Sequence, residues 1–270
     1  MNVEKEIKVL KKQLHNSIDV ADRIISKNGV DLGFVYLKSI TDNLVFSQAI
    51  FEPILDFEEV ITFEKLQELV KANDVSVVPK SEVLTKILKG SVVIMLSNSE
   101  EFLAVDILKL PLRVPAEPPT SPVIWGPREG FTEDIKTNMT MLRRRFYTDK
   151  LVFQQAFVGS CTNTQVVVAY LDGIVDKKLV KNVLKRLEKV DVDGVVDSHY
   201  LMSYLATRPN SIYKQVGQAE KPDIVASKLL EGRVAILVDN SPVVLTVPFV
   251  FLEDVQNSND YYTSYVYATF

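Results

Sequence analysis

The sequence predicts an α/β fold made of two similar lobes with mixed sheets, related by internal duplication and joined by a proline-rich linker. Three observations carry that prediction. Short β-branched runs alternate with stretches that are apolar at helical spacing. The order of these elements occurs twice along the chain. Between the two copies, Pro111, Pro115, Pro118, Pro119, Pro122 and Pro127 are crowded together, half of the 12 prolines present. Such a segment is extended and semi-rigid and cannot sit in the middle of a sheet. The predicted boundaries are 1–110 for the first lobe, 111–127 for the linker, 128–252 for the second lobe and 253–270 for an aromatic tail.

In the first copy, Ile7, Leu10 and Leu14 share one face of a helix over Glu4–Leu14. Asp22–Lys27 and Val30–Leu37 read as strands joined by Asn28-Gly29, a pair that favours a type I′ turn. Thr41 or Asp42 caps a helix to about Phe51, and Phe63–Lys71 forms another. After the strand Val75–Val78, Pro79 opens a helix at its first position, and Gly90 closes it. Val92–Leu96 and Phe102–Ile107 make the last hairpin.

The second copy opens with a helix from Thr132 to Arg145, capped by Thr132 and followed by strands over Leu151–Val158 and Gln165–Leu171. Asp176 caps a helix to about Val190, with Val180, Val183, Leu184 and Leu187 inward. Next come a helix over Ser198–Thr207, a strand over Ser211–Val216, and a helix from Pro222 to Gly232. A hairpin of Val234–Val238 and Val243–Val247 ends the copy. The match between copies is residue by residue. Ile7 corresponds to Ile135 at an offset of 128, Tyr36 to Tyr170 at 134, and Leu84–Ile94 to Ala226–Ile236 at 142. Offsets that grow steadily point to insertions in the loops of the second copy.

Composition narrows the function. The 270 residues are 47% hydrophobic and 24% charged, with net charge −4 and pI about 5.4, which speaks against a nucleic-acid binder. The single Cys161 cannot form an internal disulfide, so a reducing compartment is the simple reading. The start of the chain lacks the apolar core of a secretory signal, and no run reaches the ~18 apolar residues of a membrane span. With two histidines, His15 and His199, and one cysteine, a Cys/His metal site is excluded by count. Asp191, Asp193 and Asp197 read as a solvated loop, since the glycine among them comes too early for a calcium loop. No phosphate-binding glycine loop or nucleophile elbow is present, so no catalytic residue, metal or cofactor is expected.

The distinctive stretch is Gly126–Arg145, GPREGFTEDIKTNMTMLRRR. It is followed by YLDGIVD at 170–176, Arg208-Pro209-Asn210, and LEGRVAI at 230–236. These residues resemble the hallmark segments of the A subunits of spore germinant receptors, the GerA family, over nearly the whole chain. The resemblance implies a soluble N-terminal domain in nutrient sensing at the inner spore membrane, on its cytoplasmic (core) side. It also implies B and C receptor subunits as partners, other A subunits in a homo-oligomer, and a membrane region after the C-terminus. Tyr261, Tyr262, Tyr265 and Tyr267 in the tail suit a juxtamembrane segment.

The candidate ligand or interface residues are Arg128, Glu129, Asn138, Arg143, Arg144, Arg145, Thr162 and Asn163. Two lobes leave a cleft, a preferred place for small ligands, and Arg128, Glu129, Asn138 and Arg143 are expected to line it. Thr162 and Asn163 stand in a loop of small polar residues. Successive helical side chains point ~100° apart, so the three arginines are not expected to address one ligand together; one or two suit carboxylates across an interface. Two functions follow for the same domain: capture of a small germinant between the lobes, or an interaction platform that binds none. A soluble enzyme acting on a small anionic substrate is the remote alternative.

Overall fold

The computed structural model describes residues 1–109, 129–208, 211 and 213–250. The predicted linker and tail, and Arg128 with them, lie outside the described residues. The described chain falls into two compact units, one on residues 1–109 and the other on 129–145 and 153–250; Phe146–Val152, part of the second predicted lobe, groups with the first unit.

In the first unit, α1 (Val3–Gln13) precedes β1 (Val20–Lys27) and β2 (Val30–Leu37). Asn28 and Gly29 both have positive φ, 52° and 81°, as the tight hairpin requires. The predicted helix from Asp42 begins with α2 (Asn43–Val45) but widens into a π-helical turn over Phe46–Phe51 before α3 (Glu52–Asp56). There follow α4 (Phe63–Leu69), β3 (Val75–Val78), α5 (Lys80–Leu88), β4 (Ser91–Leu96) and β5 (Phe102–Asp106). Pro79 takes the N-cap of α5, one position earlier than predicted, because its ψ of 156° is extended.

The second unit runs α6 (Ile135–Arg143), β6 (Leu151–Val158, its first two residues grouping with the first unit), β7 (Thr164–Leu171) and α7 (Lys177–Leu187). A 3-10 turn, Ser198–Leu201, leads into α8 (Met202–Leu205), and then come β8 (Gly217–Ala219), α9 (Pro222–Leu230), β9 (Val234–Val238) and β10 (Val244–Val247). The third strand is therefore later and shorter than the predicted 211–216: it is fixed by pairing with β10, Ala219 opposite Val244 and Gly217 opposite Thr246. Sheets expected to be mixed are antiparallel at every pairing described. Among the described pairings each strand meets its neighbour antiparallel, so none of them needs a parallel crossover.

The duplication is visible in the sheets. Strand order is β1-β2-β4-β5-β3 in one unit and β6-β7-β9-β10-β8 in the other. Register repeats as well. Leu32 faces Leu96 and Phe34 faces Ile94, while Val166 faces Val238 and Val168 faces Ile236. These residues correspond at the predicted offsets of 134 and 142.

Alternation along the strands explains the layers. Leu32, Phe34, Ile94 and Leu103 meet the helical stretch 43–69 on one face of the first sheet. Val35, Val93, Met95 and Ala104 meet α1 and α5 on the other. β4 is buried along its whole length, as a central strand covered on both faces must be. Helix α1 comes so close to β2 at Gly33 that an added Cβ would lie 2.4 Å from Val3 Cγ1. In the second unit α6 and α9 pack together against β9, and β9 is buried throughout.

Candidate functional site

The distinctive segment is built around one buried amide. Asn138 is fully buried in α6. Its Oδ1 accepts from the Thr132 N–H at 2.8 Å, and its Nδ2 donates to the Thr132 carbonyl at 2.6 Å. The side chain thus pairs with a backbone unit as a neighbouring strand would, and closes 132–138 into a knuckle. Thr132, predicted as the cap, is instead held inside this knuckle, and its hydroxyl accepts from the Asp134 N–H at 3.2 Å. Asp134 is the cap of α6. Its carboxylate accepts from the N–H groups of Lys136 and Thr137 at 3.4 and 2.9 Å and from the Thr137 hydroxyl at 2.5 Å. A carboxylate is the stronger acceptor for exposed helical N–H groups.

Two contacts pin this end of α6 to the turn after β9. Asp239 Oδ1 accepts from the Ile135 N–H at 3.4 Å, and the Glu133 carbonyl accepts from the Asn240 N–H at 2.8 Å. The segment is also tied to the turn between β8 and α9 through the Phe131 N–H, which donates to the Glu220 carbonyl at 2.7 Å.

At the other end of α6 the three arginines divide. Arg143 is buried, with its guanidinium carbon 4.8 Å from the centroid of the Phe153 ring. Arg144 and Arg145 both reach Glu129, at 3.4 Å to Oε1 and 2.7 Å to Oε2, and Arg145 also donates to the Met141 carbonyl at 2.8 Å. Arg144 and Arg145 lie past the last helical residue, which releases them from the 100° step and lets them converge. Their carboxylate partner is the residue that leads into the helix, so the pairing is within the unit. Being partly exposed, it stabilises by on the order of 1 kcal/mol.

Thr162 and Asn163 sit at the turn between β6 and β7. Thr162 Oγ1 accepts from the Val195 N–H at 3.1 Å, and Thr164 Oγ1 donates to the Val195 carbonyl at 2.5 Å. Backbone bonds from Ser160 to Val192 and from Cys161 to Asp193, 2.9 and 2.7 Å, sew the turn to the loop before the 3-10 turn. A concavity of about 430 Å³ opens here, lined by Phe157, Thr162, Asn163, Gln165, Asp239 and Asn240 among others. Asp239 and Asn240 are the residues that sequence reasoning missed. Their signal was present as an Asp-Asn turn after a strand, where Asn240 takes φ +67°.

The candidate residues therefore fall in three places. Glu129, Arg144 and Arg145 close the C-terminal end of α6; Asn138 and Arg143 are buried; Thr162 and Asn163 face the concavity near its N-terminal end. Chemically, the first group is a satisfied ion-pair cluster, and the concavity offers amide and hydroxyl groups beside one carboxylate and the half-exposed Phe157. Ser198 Oγ lies 3.1 Å from Ser241 Oγ, and His199 Nδ1 lies 3.4 Å from Gln218 Nε2.

Acid titrates two caps, Asp134 of α6 and Asp197, which caps the 3-10 turn Ser198–Leu201. Burial pushes the Asp134 carboxyl up, but bonds from the Thr137 hydroxyl and the Thr137 and Lys136 N–H groups outweigh it and hold the pKa below the ordinary value. Asp197 is likewise lowered: burial is outweighed by bonds from Ser241 and from the His199 and Ser198 N–H groups. A depressed folded-state pKa adds stability that is full above the unfolded value of ~3.9 and is lost as pH falls through the folded value. Thermal unfolding between pH 6 and 3 is expected to show this loss below about pH 4. Asp134→Ala is expected to lower stability by about 1 kcal/mol at neutral pH and to flatten the acid dependence; an unchanged acid slope would count against the capping role.

Comparison with known proteins gives a consistent set of likenesses. The family model described as Bacillus/Clostridium GerA spore germination protein matches residues 8–270. The chain is 31% identical to spore germination protein KA of Bacillus subtilis (strain 168) over 276 residues, covering 99% of this chain and 51% of that protein. It is 36% identical over 204 residues to a protein of the same organism named as the membrane protein YfkQ, covering 75% of this chain and 40% of that one. The chain thus spans about half the length, or less, of these relatives. Among solved structures, it is similar to the N-terminal domain of the A subunit of the Bacillus megaterium spore germinant receptor GerK3. The TM-score is 0.70 at 25% identity, over 92% of this chain and 95% of that one.

Proposed function

The chain belongs to the Bacillus/Clostridium GerA family of spore germination proteins, and on that premise we propose that it serves as the N-terminal domain of a germinant receptor A subunit. In this reading it takes part in nutrient sensing and passes the signal that starts germination. It works with B and C subunits and with other A subunits, on the core side of the inner spore membrane. The supporting observation is the likeness in fold to the GerK3 A-subunit domain over nearly all of both chains.

Of the two ways to take part, the platform is favoured over direct capture of a germinant by the distinctive segment. Glu129, Asn138, Arg144, Arg145 and Thr162 all have partners inside their own unit. A ligand would have to displace those bonds and gain more than they give. Titration calorimetry of the chain with amino acids, sugars and nucleosides at millimolar concentration is expected to give no saturable heat. A saturating isotherm would replace the platform with a direct sensor. The receptor role is tested separately, by the nutrient response of spores carrying Glu129→Lys: slowed germination is expected, and an unaltered response argues against it.

A further inference from the structure

One surface of the second unit runs against the chain's overall sign. Net charge is −4, yet α7 places Lys178, Lys181 and Lys185 at i, i+3 and i+7, and Lys189 continues the row one turn on. Lys189 lies two residues past the helix end, and at ~100° per residue the three helical lysines lie within roughly 60° of one another. They stand opposite the buried stripe of Val180, Val183 and Leu187. All four are exposed, and among the described residues none of them makes an ion pair, whereas Lys177 at the helix start pairs with Asp172 at 3.4 Å. Asp176 and Glu188 are the carboxylates of the segment 176–189; Asp176 is occupied as the cap. Like charges at this spacing repel, and an anionic surface laid along the row removes that repulsion.

Two exposed apolar side chains belong to segments that meet just before the helix. Ile174, just before the helix, is 44% exposed and Leu230 is 58% exposed. Gly232, two residues beyond Leu230, abuts the Ile174 backbone, with 3.1 Å from its ideal Cβ position to the Ile174 carbonyl oxygen. On one flank, Asn182 and Arg186 of α7 line a concavity of about 190 Å³ with Lys214, Pro248 and Phe249. From that concavity the sequence runs on to Tyr261, Tyr262, Tyr265 and Tyr267, a residue type that favours the membrane–water interface.

We infer that this face of α7 docks on an anionic lipid bilayer, with the lysine row against headgroup phosphates and Ile174 and Leu230 at the level of the interface. A basic helical face with apolar neighbours is the composition of an interfacial element. Ammonium groups on flexible stems suit a fluid layer of phosphates, whereas a fixed acidic protein groove is matched better by arginine forks. The relative named as a membrane protein covers 75% of this chain at 36% identity. The inference takes its setting from the membrane placement proposed above, but vesicle binding reads it without any germination response.

The test is co-sedimentation of the full 270-residue chain with vesicles of phosphatidylcholine alone and of phosphatidylcholine and phosphatidylglycerol in equal parts. Binding is expected only to the anionic vesicles and is expected to weaken as salt rises. A lysine near an anionic surface adds about fivefold to partitioning. The variant K178E/K181E/K185E/K189E is therefore expected to bind at least about a hundredfold more weakly. The neutral variant with glutamine at the same four positions should fall in the same direction by a smaller factor, and it serves if the reversed one does not fold. Reversal of Lys12, Lys38, Lys71 and Lys89, exposed residues of the first unit, should leave binding within about threefold. Failure of the unaltered chain to bind anionic vesicles overturns the inference. So does undiminished binding by the α7 variants, or equal loss in both lysine sets.

Discussion

Replacing Phe34 by alanine is expected to cost the first unit about 3–5 kcal/mol, the larger of the two strongest effects foreseen. Phe34 is fully buried on β2. Its ring meets those of Phe46 and Phe51 edge-on, with centroids 5.8 and 5.9 Å away. Phe46 and Phe51 bound the π-helical turn, and Phe46 also lies 4.9 Å from Tyr36. Truncation removes the hub of that cluster and leaves a void that the covered sheet cannot close. A fall in melting temperature of roughly 10–20 °C follows for a unit of this size. Scanning calorimetry of Phe34→Ala measures it, with Val168→Ala as the comparison. Val168 is the corresponding residue of the second sheet and carries a smaller side chain with no ring, so its loss should be nearer 1–3 kcal/mol. Equal effects at the two positions would show that the aromatic cluster adds nothing beyond burial.

Asn138→Leu is expected to cost about 2–5 kcal/mol although leucine is apolar and similar in volume. The substitution strands a buried N–H and a buried carbonyl of Thr132 at once, and each unsatisfied group costs about 1–3 kcal/mol. Asn138→Asp keeps an acceptor for the Thr132 N–H but, when ionised, sets a buried carboxylate oxygen against the Thr132 carbonyl, so a loss at least as large is expected, easing as acid protonates the carboxyl. Urea unfolding gives the energies. Hydrogen exchange gives the place, since amides 131–138 should exchange faster in Asn138→Leu while those of β1–β5 stay unchanged. Unaltered exchange at 131–138 would mean that the amide is not what closes the knuckle.

These two residues also mark the limit of what the sequence made legible. Periodicity, the Asn28-Gly29 turn and the smoothly growing offsets were enough to foresee two related lobes and even which residues face one another across the central strands. That succeeded because strand alternation and burial are written directly into residue type. The π-helical turn at Phe46–Phe51 left no such mark, because a wide turn and an α-turn use the same apolar residues. The third strand of the second unit was misplaced because its position is set by a partner strand some 25 residues away, not by local propensity.

Site reading met a different obstacle. An amide that bridges a buried backbone and an amide that meets a ligand are the same letter in the sequence. Asn138 accordingly looked like a cleft residue. Arg144 and Arg145 looked available because their partner, Glu129, lies on the far side of the helix they follow. Thr162 and Asn163 were recognisable as a polar turn, but Asp239 and Asn240 join them only through the fold.

Gly33 has a consequence for the ancestry that the sheets record. An added Cβ there would press into Val3, whereas the corresponding position of the second sheet is filled by the buried Val167. The leading helix of each half has therefore settled at its own height above a shared strand pattern. The halves are siblings that no longer fit each other's clothes: a hybrid gene in which one half supplied the helix and the other the strand would join surfaces that have parted company.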